Sequence, residues 1–94
     1  MNTLVGSLVI SKSGHDKNHV YVVMEVESGF VYLVDGRIKT IDKPKKKNIK
    51  HIQMINYKSD VIIEKIDNKE LRNEDVKRCI KLFMKEHQCE AYRL

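Results

Sequence analysis

A dense cluster of basic side chains in the middle of the chain is the clearest chemical signal in the sequence. Residues 37–58 contain eight lysines and arginines and a single acidic residue, Asp42. Ammonium groups can follow the phosphates of a polyanion, and each neutralised phosphate releases condensed counterions. Arginine adds a planar fork that suits bidentate bonds to phosphate or to a guanine edge. The candidate contacts in this region are Arg37, Lys39, Lys43, Lys45, Lys46, Lys47 and Lys50.

A second basic segment surrounds a glycine in the run Ser11-Lys12-Ser13-Gly14-His15-Asp16-Lys17-Asn18. Gly14 and Asn18 both tolerate the left-handed backbone region, so the run predicts a sharp loop in which Gly14 has a positive φ and a structural role. The candidate contacts in this loop are Lys12, His15 and Lys17.

The sequence offers little support for a metal site or for a catalytic site. His15 and His19 are four residues apart but flank a turn, and His87 with Cys89 falls short of the ligands that zinc needs. The chain has no glycine-rich phosphate loop and no nucleophile elbow. We therefore predict no metal site and no cofactor, and we expect a binding protein, not an enzyme.

The length and charge of the chain are those expected of a small, single-domain protein. The chain has 94 residues and a net charge of +5, enough for one compact domain. The charge excess lies in residues 1–58, because residues 59–94 hold eight basic and eight acidic residues. The uncharged Met1–Ser11 is too short for a membrane span and lacks a basic leader. Two cysteines are too few for a disulfide framework, so we expect a cytoplasmic protein with reduced thiols.

The first 58 residues show the period-two pattern of β-strands. In His19–Glu27 the alternation places Val26 on the same side as Val20, Val22 and Met24. Asp35 and Gly36 are suited to a two-residue hairpin turn. Five short strands joined by tight turns predict a small closed barrel, with Lys43–Asn48 as a connection between strands. The predicted strands are Gly6–Ser11, His19–Glu27, Phe30–Val34, Arg37–Ile41 and His51–Ile55.

The last part of the chain has helical periodicity. An apolar stripe of Val76, Cys79, Ile80, Phe83 and Met84 predicts a helix over 73–87 with Asn73 as its N-cap. The segment 60–66 could be a short helix capped by Ser59 or Asp60, or a last strand over 61–63. We expect a barrel over 1–58 and a helical extension over 59–94, packed together as one unit.

The pattern from Leu4 to Phe30, a 27-residue unit with Gly14 at its eleventh position, resembles the KOW motif of ribosomal proteins and transcription elongation factors. The segment Phe30–Gly36, followed by basic residues and Lys50–Met54, is similar to the KOW-containing large-subunit ribosomal proteins of eukaryotes and archaea. The resemblance covers residues 4–55. It departs at Asn18, where many members have a second glycine or another small residue, and the helical part has no counterpart. It implies an SH3-like barrel whose loops bind structured RNA, usually ribosomal RNA.

The sequence therefore leads to two hypotheses. The first is a cytoplasmic RNA-binding protein that contacts ribosomal RNA or the large ribosomal subunit through its basic loops. A basic site with few aromatic residues suits folded RNA, whereas single strands usually stack on exposed aromatic rings. The alternative is a protein-interaction module that uses the amphipathic helix over 73–87, or the barrel surface, to recruit a translation or transcription factor.

Overall fold

The computed structural model describes residues 4–87, which form one antiparallel sheet followed by two helices. No helix in this range is long and apolar enough to cross a membrane. The strands are β1 (Ser7–Ser11), β2 (Val20–Glu27), β3 (Phe30–Val34), β4 (Lys45–Asn48) and β5 (Ile52–Lys58). Their order in the sheet is β4-β3-β2-β1-β5, and the short turn between β4 and β5 is a 3-10 helix, Ile49–His51. The helices are α1 (Asp60–Asp67) and α2 (Asn73–His87).

The sheet is strongly curled but is not a closed barrel. Its outer strands, β4 and β5, each pair with one neighbour and not with each other, so the predicted closure is wrong. In a flat sheet the outer strands would lie about 19 Å apart, four strand spacings. Here they are joined by the three residues of the 3-10 turn, which rises only about 2 Å per residue. The sheet must therefore bend until its two edges come close at this corner.

Apolar side chains fill both faces of this curled sheet. The inner face holds a core of Val9, Tyr21, Val23, Val31, Leu33 and Ile52. No helix residue within residues 4–87 packs in this cluster. Its side chains are nevertheless buried, because the curled sheet folds over them. The outer face packs against the helices in a second core. Its residues are Leu8, Ile10, Val20, Val22, Val34, Ile55, Ile62, Val76, Cys79, Ile80 and Phe83.

The fourth strand differs from the prediction. Residues 37–41 form an irregular loop, and β4 is built by Lys45–Asn48, within the segment that we expected to be a connection. The side chain of Asp35 accepts hydrogen bonds from the backbone N–H groups of Arg37 and Lys39, both at 2.9 Å, which favours the loop over a strand. Lysine is depleted in strands, so composition does not mark β4.

A β-bulge in β2 changes which face its second half presents. The register with β3 shifts between Val23 and Glu25, so the alternation skips one residue. Met24 packs against the helix-facing core as predicted, but Val26 packs against the inner core. The predicted placement of Val26 beside Val22 is therefore wrong.

The segment after β5 is helical, which settles the alternative that the sequence left open. The Ser59 hydroxyl accepts a hydrogen bond from the Ile62 N–H at 3.2 Å and caps α1. Residues 61–63 lie inside this helix, so a last strand there is excluded.

The second helix has the predicted bounds but a different N-terminal arrangement. The N–H of Asp75 donates to the Arg72 carbonyl, and the Asp75 carboxylate accepts from the Arg72 N–H at 3.0 Å. The predicted cap, Asn73, instead accepts a hydrogen bond from the Ile41 N–H at 2.9 Å. Asn73 therefore attaches the β3–β4 loop to α2 and does not cap the helix with its side chain.

Candidate nucleic-acid interface

The β1–β2 loop, residues 12–19, is a tightly ordered turn with cationic side chains on its outside. Gly14 has a φ of +87° and Asn18 a φ of +73°, which confirms the predicted left-handed positions. The Asn18 N–H donates to the Ser11 carbonyl at 2.8 Å and closes the loop. The side chains of the predicted contacts in this loop are exposed: Lys12, His15 and Lys17.

The 3-10 turn lies directly beside this loop. The Lys12 N–H donates to the His51 carbonyl at 2.8 Å, which joins two basic segments that are far apart in the sequence. Lys50, in the middle of the turn, is exposed, and its N–H donates to the Asn48 side chain at 2.9 Å. We call the surface formed by Lys12, Lys17 and Lys50 the basic end.

Two lysines of β4 point into the curled sheet, against the prediction that they contact phosphate. Lys45 and Lys47 are paired in register with Leu33 and Val31 of the inner core. Lys47 is only 8% exposed, and its Nζ donates to the Ser13 carbonyl and to Asp16 Oδ1, both at 2.9 Å. Lys45 is half-buried, with its Nζ 3.1 Å from Asp16 Oδ2. These two ammonium groups therefore form ion pairs with a carboxylate of the protein itself, that of Asp16.

That carboxylate, Asp16, holds the edge of β4 against the β1–β2 loop. It also accepts hydrogen bonds from the Ser11 hydroxyl at 2.8 Å and from the Tyr21 hydroxyl at 2.9 Å. Burial opposes ionisation, but the bonds from Lys47, Ser11, Tyr21 and Lys45 outweigh it and hold the pKa of Asp16 far below its usual range. Burial, together with the hydrogen bond to Asp16, raises the pKa of Tyr21. Side-chain bonds, and not a strand ladder, therefore connect β4 to the β1–β2 loop.

The middle lysine of β4 points the other way. Lys46 is exposed, and its Nζ lies 4.6 Å from the centre of the Phe30 ring, within the range of a cation–π interaction. Of the three consecutive lysines, Lys46 is therefore the one that a polyanion could reach most easily.

The β3–β4 loop is organised by a second buried carboxylate. Asp35 is 3% exposed, and its Oδ2 lies 2.8 Å from His19 Nε2. Burial alone would raise the pKa of Asp35, but bonds from the Arg37 N–H, the His19 ring and the Lys39 N–H hold it below its ordinary value. The predicted two-residue hairpin turn at Asp35 and Gly36 is therefore wrong, because these residues begin a longer ordered loop.

The remaining predicted contacts lie on that loop. Arg37 and Lys43 are exposed, whereas Lys39 is half-buried. The contact between His19 and Asp35 places the start of the loop beside the end of the β1–β2 loop. The structure thus places the β3–β4 loop beside the β1–β2 loop. Lys46 lies instead on the outer side of β4, and Lys45 and Lys47 turn inward.

Asp16, His19 and Tyr21 support the candidate interface, and the sequence reasoning did not identify them. An acidic residue inside an otherwise basic loop was the available signal for Asp16. The His19 ring bonds to Asp35, and residues 4–87 contain no group of three side chains that could hold a metal ion. Cys89, which the sequence analysis considered with His87 as a zinc ligand, lies outside the described residues.

A separate apolar cavity of about 320 Å³ lies between the two helices and the end of β5. Val61 and Leu82 line it and are 63% and 48% exposed, respectively. Cys79 also lines it, and burial raises the pKa of this thiol. The cavity lies among helical residues that the basic end does not include.

No model of a known protein family matches the chain, and no curated protein matches it in sequence.

Proposed function

We propose that this protein binds structured RNA through the basic end and the neighbouring β3–β4 loop, and acts as a binding protein without catalysis. The hydrogen bond from the Lys12 N–H to the His51 carbonyl carries this proposal. It brings the exposed cations of two distant segments onto one surface. A rigid surface of spaced ammonium groups suits the phosphates of a folded nucleic acid.

Most of the affinity would come from the exposed cations at the basic end and not from the lysine run as a whole. Lys47 is buried against Asp16, and Lys45 shares the same carboxylate, so neither ammonium is available without losing that bond. Lys46 contributes from the outer face of β4. Phe30, beneath Lys46, and Tyr32, whose hydroxyl bonds to Glu27, are only half-exposed. Folded RNA therefore fits this surface better than a single strand that must stack its bases.

We further propose ribosomal RNA, within the large ribosomal subunit, as the target in the cytoplasm. This rests on the resemblance of residues 4–55 to KOW-containing ribosomal proteins. The curled five-stranded sheet supports it, since a strongly bent small sheet is compatible with the SH3-like barrel that the resemblance implies.

The second candidate function is protein recruitment, and the apolar cavity between α1 and α2 favours it. Exposed apolar residues around a cavity are typical of interaction sites. Val61 and Leu82 would contact the partner, with Arg78 also on the lining of the cavity.

Sedimentation of the tagged protein from cell lysate through sucrose gradients separates these two functions. We expect co-migration with large ribosomal subunits at low salt, weaker association at high salt, and release after nuclease treatment. A fast-sedimenting complex that survives nuclease would instead favour the protein-recruitment function. Protein that stays at the top of the gradient under every condition would contradict the ribosomal target.

A further inference from the structure

Ile38 is the most exposed large apolar residue among residues 4–87, at 77% exposure. It lies at the tip of the β3–β4 loop, between Arg37 and Lys39. An isoleucine in this position forgoes favourable burial in the free protein.

The loop that presents Ile38 is held in place at its base. Asp35 Oδ1 accepts from the N–H groups on both sides of Ile38, those of Arg37 and Lys39, at 2.9 Å each. The Lys39 carbonyl in turn accepts from the N–H groups of Asp35 and Gly36, at 2.9 and 3.1 Å. The buried carboxylate thus fixes the backbone on either side of the exposed side chain.

The far side of the loop is fixed as well. The Ile41 N–H donates to the Asn73 side chain of α2, and the backbone of Gly36 packs closely on the Asn73 carbonyl. A loop that is fixed at both ends presents its tip without a large loss of conformational entropy on binding.

The charges around Ile38 favour a polyanion over an apolar protein surface. Arg37 and Lys39 flank it directly and Lys43 lies on the same loop, whereas Asp42 is the one exposed carboxylate there. Asp35 is buried beneath the tip, where its carboxylate accepts hydrogen bonds from the Arg37 and Lys39 N–H groups and lies 2.8 Å from His19 Nε2. An apolar side chain between two cations fits a nucleic acid where a base face is accessible next to the backbone.

We propose that Ile38 is a specificity-determining residue that packs against an unstacked base, so that the protein prefers RNA helices interrupted by a bulge over continuous duplexes. The inference rests on the proposed RNA-binding function and adds the class of RNA to it. In a continuous duplex the base faces are covered by stacking, and Ile38 would meet only backbone. At a bulge an unstacked base offers an apolar face, while Arg37 and Lys39 contact the adjoining phosphates.

Two RNA hairpins with the same stem, one of them carrying a single-nucleotide bulge, test this inference. We expect the protein to bind the bulged hairpin about tenfold more tightly, since partial burial of one isoleucine is worth about that factor. Ile38→Ser should remove the preference and leave affinity for the continuous hairpin unchanged. The matched control is Val61→Ser, which changes an exposed apolar residue on α1. This variant should keep the full preference for the bulged hairpin.

The possible outcomes separate this inference from the proposed function. Equal binding of both hairpins by the unmodified protein, or a preference that survives Ile38→Ser, would overturn the inference and leave RNA binding intact. Binding of neither hairpin would overturn the proposed function, and the inference with it. Because Ile38 is exposed, a thermal melt of Ile38→Ser should match that of the unmodified protein.

Discussion

Replacing Gly36 with alanine should destabilise the fold by about 3 kcal/mol or more, because backbone strain and a steric clash add together. Gly36 has a φ of +80°, which is unfavourable for any residue with a Cβ. A Cβ at this position would also lie 2.5 Å from the Asn73 carbonyl oxygen and 2.8 Å from Lys77 Cγ. The first of these atoms is backbone, so the contact can be relieved only by moving the loop away from α2.

Gly29→Ala is the matched control for this prediction. Gly29 has almost the same φ, +84°, but nothing lies within 4 Å of an added Cβ. Alanine there should cost only the conformational strain, about 1 kcal/mol. Chemical denaturation of both variants separates strain from the steric clash. Equal losses of stability would show that the loop does not pack on α2 as described.

Replacing Lys47 with methionine should lower the free energy of unfolding by about 3 kcal/mol. Methionine keeps an apolar stem of similar length and removes the ammonium group. The Ser13 carbonyl then loses a hydrogen bond, and Asp16 loses one of its two ammonium partners while remaining largely buried. The cost arises mainly from the partly uncompensated carboxylate.

Lys46→Met in the same strand is the control. Lys46 is exposed, and its contact with the Phe30 ring is worth at most about 1 kcal/mol. Urea unfolding of the two variants should give clearly different midpoints. A loss of stability from Lys46→Met as large as that from Lys47→Met would contradict the inward orientation of Lys47. Adding Asp16→Asn to Lys47→Met should recover part of the loss, because the unpaired charge is removed.

Alternation of apolar residues was sufficient to predict most of the fold. It located β1, β2, β3 and β5 to within a few residues, because each of them contributes side chains to a buried core. The helical stripe predicted the bounds of α2, since its spacing matches one buried face. The elements that could be predicted are the strands and helices with one apolar face and one polar face.

The fourth strand and the orientation of its lysines could not be predicted for the same physical reason. Lys45, Lys46 and Lys47 are chemically identical, so their sequence contains no alternation that would distinguish the inward side chains from the outward one. Their orientation depends on the curl of the sheet, which brings Asp16 within reach of β4. The bulge that moves Val26 to the inner core is likewise a property of pairing between strands.

For the candidate interface, local backbone chemistry was predictable and long-range pairing was not. The positive φ at Gly14 follows from the residue type and is confirmed. The hydrogen bond between Asp35 and His19 joins residues sixteen positions apart, and the bond between Lys12 and His51 joins more distant ones. No local pattern encodes either of them, and both decide which cations share a surface.

The salt dependence of RNA binding by variants of the basic end tests the central claim most directly. The test variant replaces the three lysines of the basic end with alanine: Lys12→Ala/Lys17→Ala/Lys50→Ala. The control variant removes the same charge from three exposed positions after β5: Lys69→Ala/Lys81→Ala/Lys85→Ala. Affinity for a folded RNA hairpin is measured over a range of salt concentrations. The slope of log K against log salt should become shallower by nearly three units in the basic-end variant, about 0.9 for each lost phosphate contact. The control should retain the original slope. Equal slopes for the two variants would contradict RNA binding at the basic end.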